Sequence, residues 1–441
     1  MGGRMRVSKF SSLIALGVIA VPGASLAAGL YVPDSGTTAR ARGGAFCVAA
    51  DDPLAIFYNP AGLADQHTRN QFLFDITDLQ LNEKFQRTGI PPDGASAGTT
   101  ATNAPPPQIV PNILYVHNFS DKFSLGGGIH APAGGRYKFS ATGPQRFTNS
   151  ELYLVEAGIG ISAAYRIHRV VSVGLTLETL MTSVDQRFAV SKNTPPNPPT
   201  EDPSQESPGH VSAASNMTPT GILGVKVTPV EGVEFGLSYR PSVTLNMPGK
   251  LETSNPDTSD KLHFHSKLAS ILRIGARYVK PTWDYELDFV YEDWSVHKED
   301  KVTADDGNFI GGSTQSVPRN WKAAYSIRGG STFKLSEKLH GMAGWFYETS
   351  AVPKEYLDVG SYDAPKVGLN FGAKYDFGTR FTAAANLSHV FMASQTVTNS
   401  KQRQQGAFSP PLTSPSDFTV IGNGKYTGDY NMIGLSLLTK F

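Results

Sequence analysis

Residues 366–385 read KVGLNFGAKYDFGTRFTAAA. From Val367 the side chains alternate strictly. Val367, Leu369, Phe371, Ala373, Tyr375 and Phe377 share one face; Gly368, Asn370, Gly372, Lys374 and Asp376 share the other. Successive strand residues point to opposite faces, so this is a strand with one greasy side and one small or charged side. YELDFVYE repeats the pattern, with Tyr285, Leu287, Phe289 and Tyr291 opposite Glu286, Asp288, Val290 and Glu292. The C-terminal run sets Ile433, Leu435, Leu437 and Phe441 against Gly434, Ser436, Leu438 and Lys440. A soluble sandwich also alternates, so alternation alone does not choose the fold.

The rhythm of the connections does. Fourteen strands are read near 70–80, 109–118, 123–140, 150–167, 170–188, 217–228, 232–248, 263–279, 283–295, 320–334, 338–348, 365–377, 380–392 and 424–441. Short turns (FSDKF, RIHRVV, TPVEGV, KPTWD, KLSEK, FGTRF) alternate with long segments carrying low-complexity material such as TPPNPPTEDPSQESPGH. Short turns on one rim and long loops on the other are the layout of an outer-membrane barrel. In hydrocarbon every backbone group must pair within the protein, and a closed barrel leaves no edge. The fold class expected is therefore all-β, a 14-stranded antiparallel transmembrane β-barrel, spanning residues 67–441. The chain ends on an aromatic residue, Phe441, as such barrels commonly do.

The N-terminus reads as an export signal, residues 1–27. Arg4, Arg6 and Lys9 precede a short apolar core, and Ser25-Leu26-Ala27 supplies a cleavage site. No later stretch has the roughly 18 apolar residues of a spanning helix. The single cysteine, Cys47, permits no intrachain disulfide. A net charge of +1 suggests no nucleic-acid partner. HFH at 263–265 offers too few ligands for a metal, and no cofactor motif is present. Residues 28–66 are rich in small residues and end in FYNPAGLA. They are expected to fold into the lumen as a hatch, with RARGG (40–44) contacting lumen acids.

Here the sequence resembles the FadL/TodX family of outer-membrane fatty-acid and hydrocarbon transporters. The resemblance rests on Asn59-Pro60-Ala61 and on AYRIHRVVSVGL (164–175), YEDWSV (291–296), NWKAAYSIRGG (320–330) and ETSAVP (348–353), in that order. It implies a hatch gated at Asn59, Pro60 and Ala61. It also implies a kinked third strand that opens the wall sideways, here at Pro132, Gly134 and Gly135. Proline has no N–H for a ladder, which agrees with such a break. For a ligand carboxylate the resemblance points to Lys322 and Arg187. Lys322 shares the parity of Ala324 and Ser326 and is expected inward. Alternation from Leu175 and Leu177 turns Arg187 outward, unless a bulge restores it.

The function expected is passive transport of hydrophobic small molecules, long-chain fatty acids first, by a monomer in the outer-membrane lipid of a Gram-negative bacterium. Neutral aromatic hydrocarbons are the alternative cargo. The hatch argues against a water-filled porin. A barrel hydrolase would need a nucleophile, a base and an acid clustered on the wall; no such cluster assembles from the sequence, and no enzyme is expected.

Overall fold

The computed structural model describes residues 34–88, 99–191, 201–253, 260–304, 314–402 and 420–441. The expected export signal lies outside them.

Fourteen antiparallel strands close a ring: β1 (Asn70–Arg87), β2 (Gln108–Asn118), β3 (Phe123–Lys138), β4 (Glu151–His168), β5 (Val171–Ser191), β6 (Glu206–Val230), β7 (Val233–Arg240), β8 (Ile271–Val279), β9 (Trp283–Glu292), β10 (Ala324–Lys334), β11 (Leu339–Glu348), β12 (Lys366–Phe377), β13 (Phe381–Met392) and β14 (Gly424–Lys440). Each pairs with its neighbour in sequence. β1 closes the seam with β14, from Gln71↔Lys440 to Arg87↔Gly424. Six short segments (Thr100–Thr102, Val243–Thr253, Asp260–Leu268, Glu299–Ala304, Thr314–Pro318 and Gln395–Val397) extend the wall beyond the long-loop rim.

The outer face is apolar, as the alternation requires. Leu175, Leu177, Leu237, Ile274, Leu287, Ile327, Leu369 and Leu435 all point away from the ring and are exposed. Aromatic residues collect at two levels. Tyr278, Trp283, Tyr285, Phe333, Tyr375, Phe377 and Phe381 sit near the short turns, and Tyr239, Tyr291, Tyr325 and Tyr347 lie farther along the strands. Trp283 and Tyr291 are separated by about 26 Å of strand at ~3.3 Å per residue. That spacing suits two interfacial girdles around a hydrocarbon band.

Residues 34–66 lie inside the ring. They form two short helices (Thr37–Ala41 and Ala55–Tyr58) and a 3-10 turn (Pro60–Asp65). β9 holds this segment with its inward acids. Asp288 accepts the N–H groups of Phe46 and Cys47 at 3.1 and 3.0 Å, and Glu286 accepts those of Val48 and Ala49 at 2.7 and 3.0 Å. Arg42 pairs with Asp284 and Glu286 at 2.7 and 3.1 Å. Across the ring, Asp75 accepts the Thr37 N–H at 2.7 Å, and Thr176 donates to the Ile56 carbonyl at 2.7 Å.

The glycines of the inner face now have a physical reason. Side chains at Gly174 and Gly224 would collide with Asn59, Pro60 and Ala61, and at Gly344 with Arg42 and Gly43. At Gly236 a Cβ would stand 2.7 Å from the Cys47 carbonyl oxygen. The enclosed backbone approaches the wall where the wall has no side chain.

Candidate functional site

Between residues 34–58 and the strands lies a small chamber of about 70 Å³, open at its mouth. Asp34, Ser35, Phe57 and Tyr58 line it from the enclosed segment. The wall supplies His130 and Pro132 from β3, Ile222 from β6, Arg240 from β7, Ile271 and Arg273 from β8, Glu292 from β9, Arg328 from β10 and Glu348 from β11. These positions are inward because each strand's lipid-facing residues occupy the opposite parity.

Most of its charges are committed to one another. Arg328 bridges Asp34 and Glu348, and Lys366 holds the other Glu348 oxygen at 2.7 Å. Glu292 accepts the Trp294 indole N–H at 2.8 Å. His130 meets Glu178 at 3.1 Å and stacks on Phe57, ring centroids 3.3 Å apart. Arg273 differs. Among the described residues no carboxylate or carbonyl hydrogen-bonds its guanidinium, which lies 5.5 Å above the Tyr58 ring. A half-buried cation at the chamber wall without a hydrogen-bonding acceptor suits an anionic ligand group.

The wall beside the chamber is interrupted. β2 and β3 pair from Asn118↔Ser124 to Ile113↔Ile129 and then stop. Above, the strands meet again where the Ala104 N–H donates to the Lys138 carbonyl at 2.9 Å and the Arg136 N–H to the Gln108 side chain at 3.1 Å. In between, β2 still pairs with β1, and β3 pairs with β4 through a register shift between His130 and Ala133. Pro132, Gly134 and Gly135 all lie in this gap, and Pro132 also lines the chamber. Pro111, not singled out in the sequence, sits on the opposing strand. Each proline removes an N–H that would otherwise close the ladder.

Asn59 pins the segment to the wall. Its side-chain amide donates to the Cys47 carbonyl at 2.8 Å and to the Val225 carbonyl at 3.1 Å, and its oxygen accepts the Ala61 N–H at 3.2 Å. Pro60 and Ala61 rest over Gly174 of β5 and Gly224 of β6.

The two expected carboxylate partners are not brought together. Lys322 is exposed, and its backbone N–H donates to the Ala351 carbonyl at 2.8 Å. It precedes β10, and Asn320 with φ 49° interrupts the extended backbone. The parity that would hold Lys322 inward starts only at Ala324. Arg187 points outward, as unbroken alternation requires, with Glu151 3.9 Å away. The chamber cations are Arg240, Arg273 and Arg328 instead. His263 and His265 stand side by side on Asp260–Leu268, ring centroids 6.3 Å apart.

Comparison with known proteins decides the kinship. The family described as "Outer membrane protein transport protein (OMPP1/FadL/TodX)" matches residues 18–428. The chain belongs to this family. A long-chain fatty acid transport protein of Escherichia coli O6:H1 is 22% identical over 396 residues, covering 82% of this chain and 85% of its own. The crystal structure of a Pseudomonas aeruginosa FadL homologue superposes with a TM-score of 0.79 at 14% identity, covering 93% of this chain and 99% of the other. The Pseudomonas putida toluene transporter TodX gives 0.66 at 16% identity, covering 93% and 99%. This FadL/TodX-family barrel is thus an outer-membrane protein of Gram-negative type, in a family of channels for hydrophobic compounds.

Proposed function

We propose that the protein carries long-chain fatty acids passively from the outside into the outer membrane. The chain lies against Phe57, Ile222, Ile271 and Pro132, and the carboxylate meets Arg273. Residues 34–66 act as the hatch. A shift at Asn59-Pro60-Ala61 opens the way, and the ligand leaves sideways through the β2/β3 gap at Pro132, Gly134 and Gly135. The observation that carries this reading is the gap itself, because it adjoins the chamber through Pro132. Release into water would re-expose the tail at about 0.8 kcal/mol per CH₂, whereas release into lipid would not.

Lys322 and Arg187, the carboxylate partners expected from the sequence, are replaced in this role by Arg273. The test is equilibrium binding of palmitate and of toluene to wild type and Arg273→Gln. Palmitate affinity is expected to fall about 10- to 100-fold, the worth of one charge-assisted hydrogen bond, with toluene unchanged. Equal losses would overturn the assignment. Neutral aromatic cargo is the second reading, favoured by the stacked Phe57–His130 pair; tight toluene binding with no palmitate binding would establish it.

A further inference from the structure

The ring has a second interruption. β6 pairs with β7 from Val227↔Phe235 to Leu223↔Tyr239. Higher up, β6 pairs with Val243–Thr253 from Ala213↔Gly249 to Gly209↔Thr253. Residues 214–222 and 240–248 have no ladder partners across this boundary. Ten steps along each strand separate the last pair below from the first pair above, so pairing resumes in the same register. This is a bubble within one ladder, built like the gap between β2 and β3. Prolines mark it too: Pro219 on one side, Pro241 and Pro248 on the other.

The outer edges of both strands remain zipped. β6 is bonded to β5 through Leu180↔Thr218 and Thr182↔Ser215, and Val243–Thr253 to Asp260–Leu268. The strands are therefore held apart, not frayed. On the inside, Ile222 from one edge and Arg240 from the other both line the chamber.

The two interruptions differ at their outer rims. The β2/β3 gap is rimmed by Ile109 and Ile129, 58% and 44% exposed. The β6/β7 bubble presents Ser242, Thr244 and Asn246 outward on one edge, with Tyr239 one step below, and Met217 on the other. Free peptide groups cannot face hydrocarbon. One polar edge above an interfacial tyrosine puts them at the level of lipid headgroups and water, where they are satisfied.

We propose that this β6/β7 window is a second opening of the chamber, and that the head of a single-chain anionic amphiphile enters through it. Arg240 stands at its inner edge and pairs in the ladder with Ile271, two residues before Arg273. The head thus passes from one guanidinium to the next. The apolar gap at Pro132 serves the tail on the way out. The cargo class rests on the function proposed above; the window itself rests on the pairing pattern.

The test blocks the window after folding. Ser242→Cys is labelled with fluorescein maleimide in purified protein; Cys47 is fully buried and does not react. Stopped-flow mixing with palmitate and with dodecane follows. The label is expected to slow palmitate association at least about fivefold and leave dodecane within about twofold, a change in on-rate beyond ordinary mutational scatter. Thr244→Cys, labelled likewise on the same rim, is expected to repeat the block, and exposed Lys354→Cys, labelled as a control, is expected to do nothing. Unchanged palmitate association in both labelled rim variants would overturn the window and leave the cargo standing. Equal slowing of dodecane would overturn passage of the head. No palmitate binding by the unmodified protein would overturn both the window's ligand and the proposed function.

Discussion

The Glu286 carboxylate accepts the Val48 and Ala49 N–H groups at 2.7 and 3.0 Å while Arg42 pairs with it at 3.1 Å. One strand side chain thus replaces the water that two backbone donors and one cation lose on entering the lumen. Glu286→Ala strands both amides and leaves Arg42 to Asp284 alone. Breaking such a buried cluster costs about 3–5 kcal/mol, charged against the local seating of residues 42–49 and not against the barrel. Planar-bilayer recordings are expected to show new conductance in this variant, with strand content by circular dichroism unchanged.

Gly174 and Gly224 permit the approach of Asn59-Pro60-Ala61. Gly174→Val is expected to displace this element and to raise protease sensitivity near residues 59–66. The contrast is Gly378→Ala, where a Cβ meets nothing within 4 Å but φ is +73°. There the cost is backbone strain alone, about 1–2 kcal/mol, with no effect on the enclosed segment. Equal protease sensitivity in the two variants would remove the steric explanation.

Pro111 and Pro132 keep the β2/β3 ladder open. The double substitution Pro111→Val with Pro132→Val returns both N–H groups and lets pairing extend upward from Ile113↔Ile129. Cellular uptake of labelled oleate should drop at least about fivefold, while the purified protein still binds it, because a lost exit changes rates more than affinity. Undiminished uptake would show that the ligand leaves elsewhere.

Asp52 gives the enclosed segment a pH dependence. Burial and the adjacent Asp51 charge push its carboxyl up to about 7, and the Leu54 N–H and the Thr38 hydroxyl hydrogen-bond it. Its unfolded value is near 3.8. A raised acid pKa means the folded state holds the proton longer. Below about pH 4 both states are protonated and nothing is lost. As pH rises from 4 to 7 stability falls, by up to about 4 kcal/mol, and above 7 the loss is complete. Asp52→Asn mimics the protonated group. It is expected to match wild type near pH 4 and to exceed its thermal midpoint at pH 8; a constant difference across that range would count against this linkage.

Much of the barrel was legible because its rules are local. Alternation in YELDFVYE placed Glu286 and Asp288 inward, and the turns FGTRF and KLSEK marked one rim. The carboxylate partners were not legible in the same way. Whether an inward cation reaches a particular chamber depends on register across several strands, which no single strand encodes. Arg273 carries no local signature, since Arg277 on the same strand is equally inward but bonds Asp284 and Glu234. Lys322 misleads because a strand begun too early carries its parity into a loop. Pro132 announced its gap through neighbouring glycines. Pro219 and Pro241 gave the same chemical signal, but one lay inside a strand and the other at an assumed strand interior, and only the pairing pattern joins them.

The β1–β14 seam has a consequence for biogenesis. The strand adjoining residues 34–66 cannot find its second neighbour until the last strand of the chain arrives. The strand that carries residues 34–66 at its base is thus the one that meets the end of the chain, so the fastening of the enclosed segment and the last ladder of the wall share a single strand.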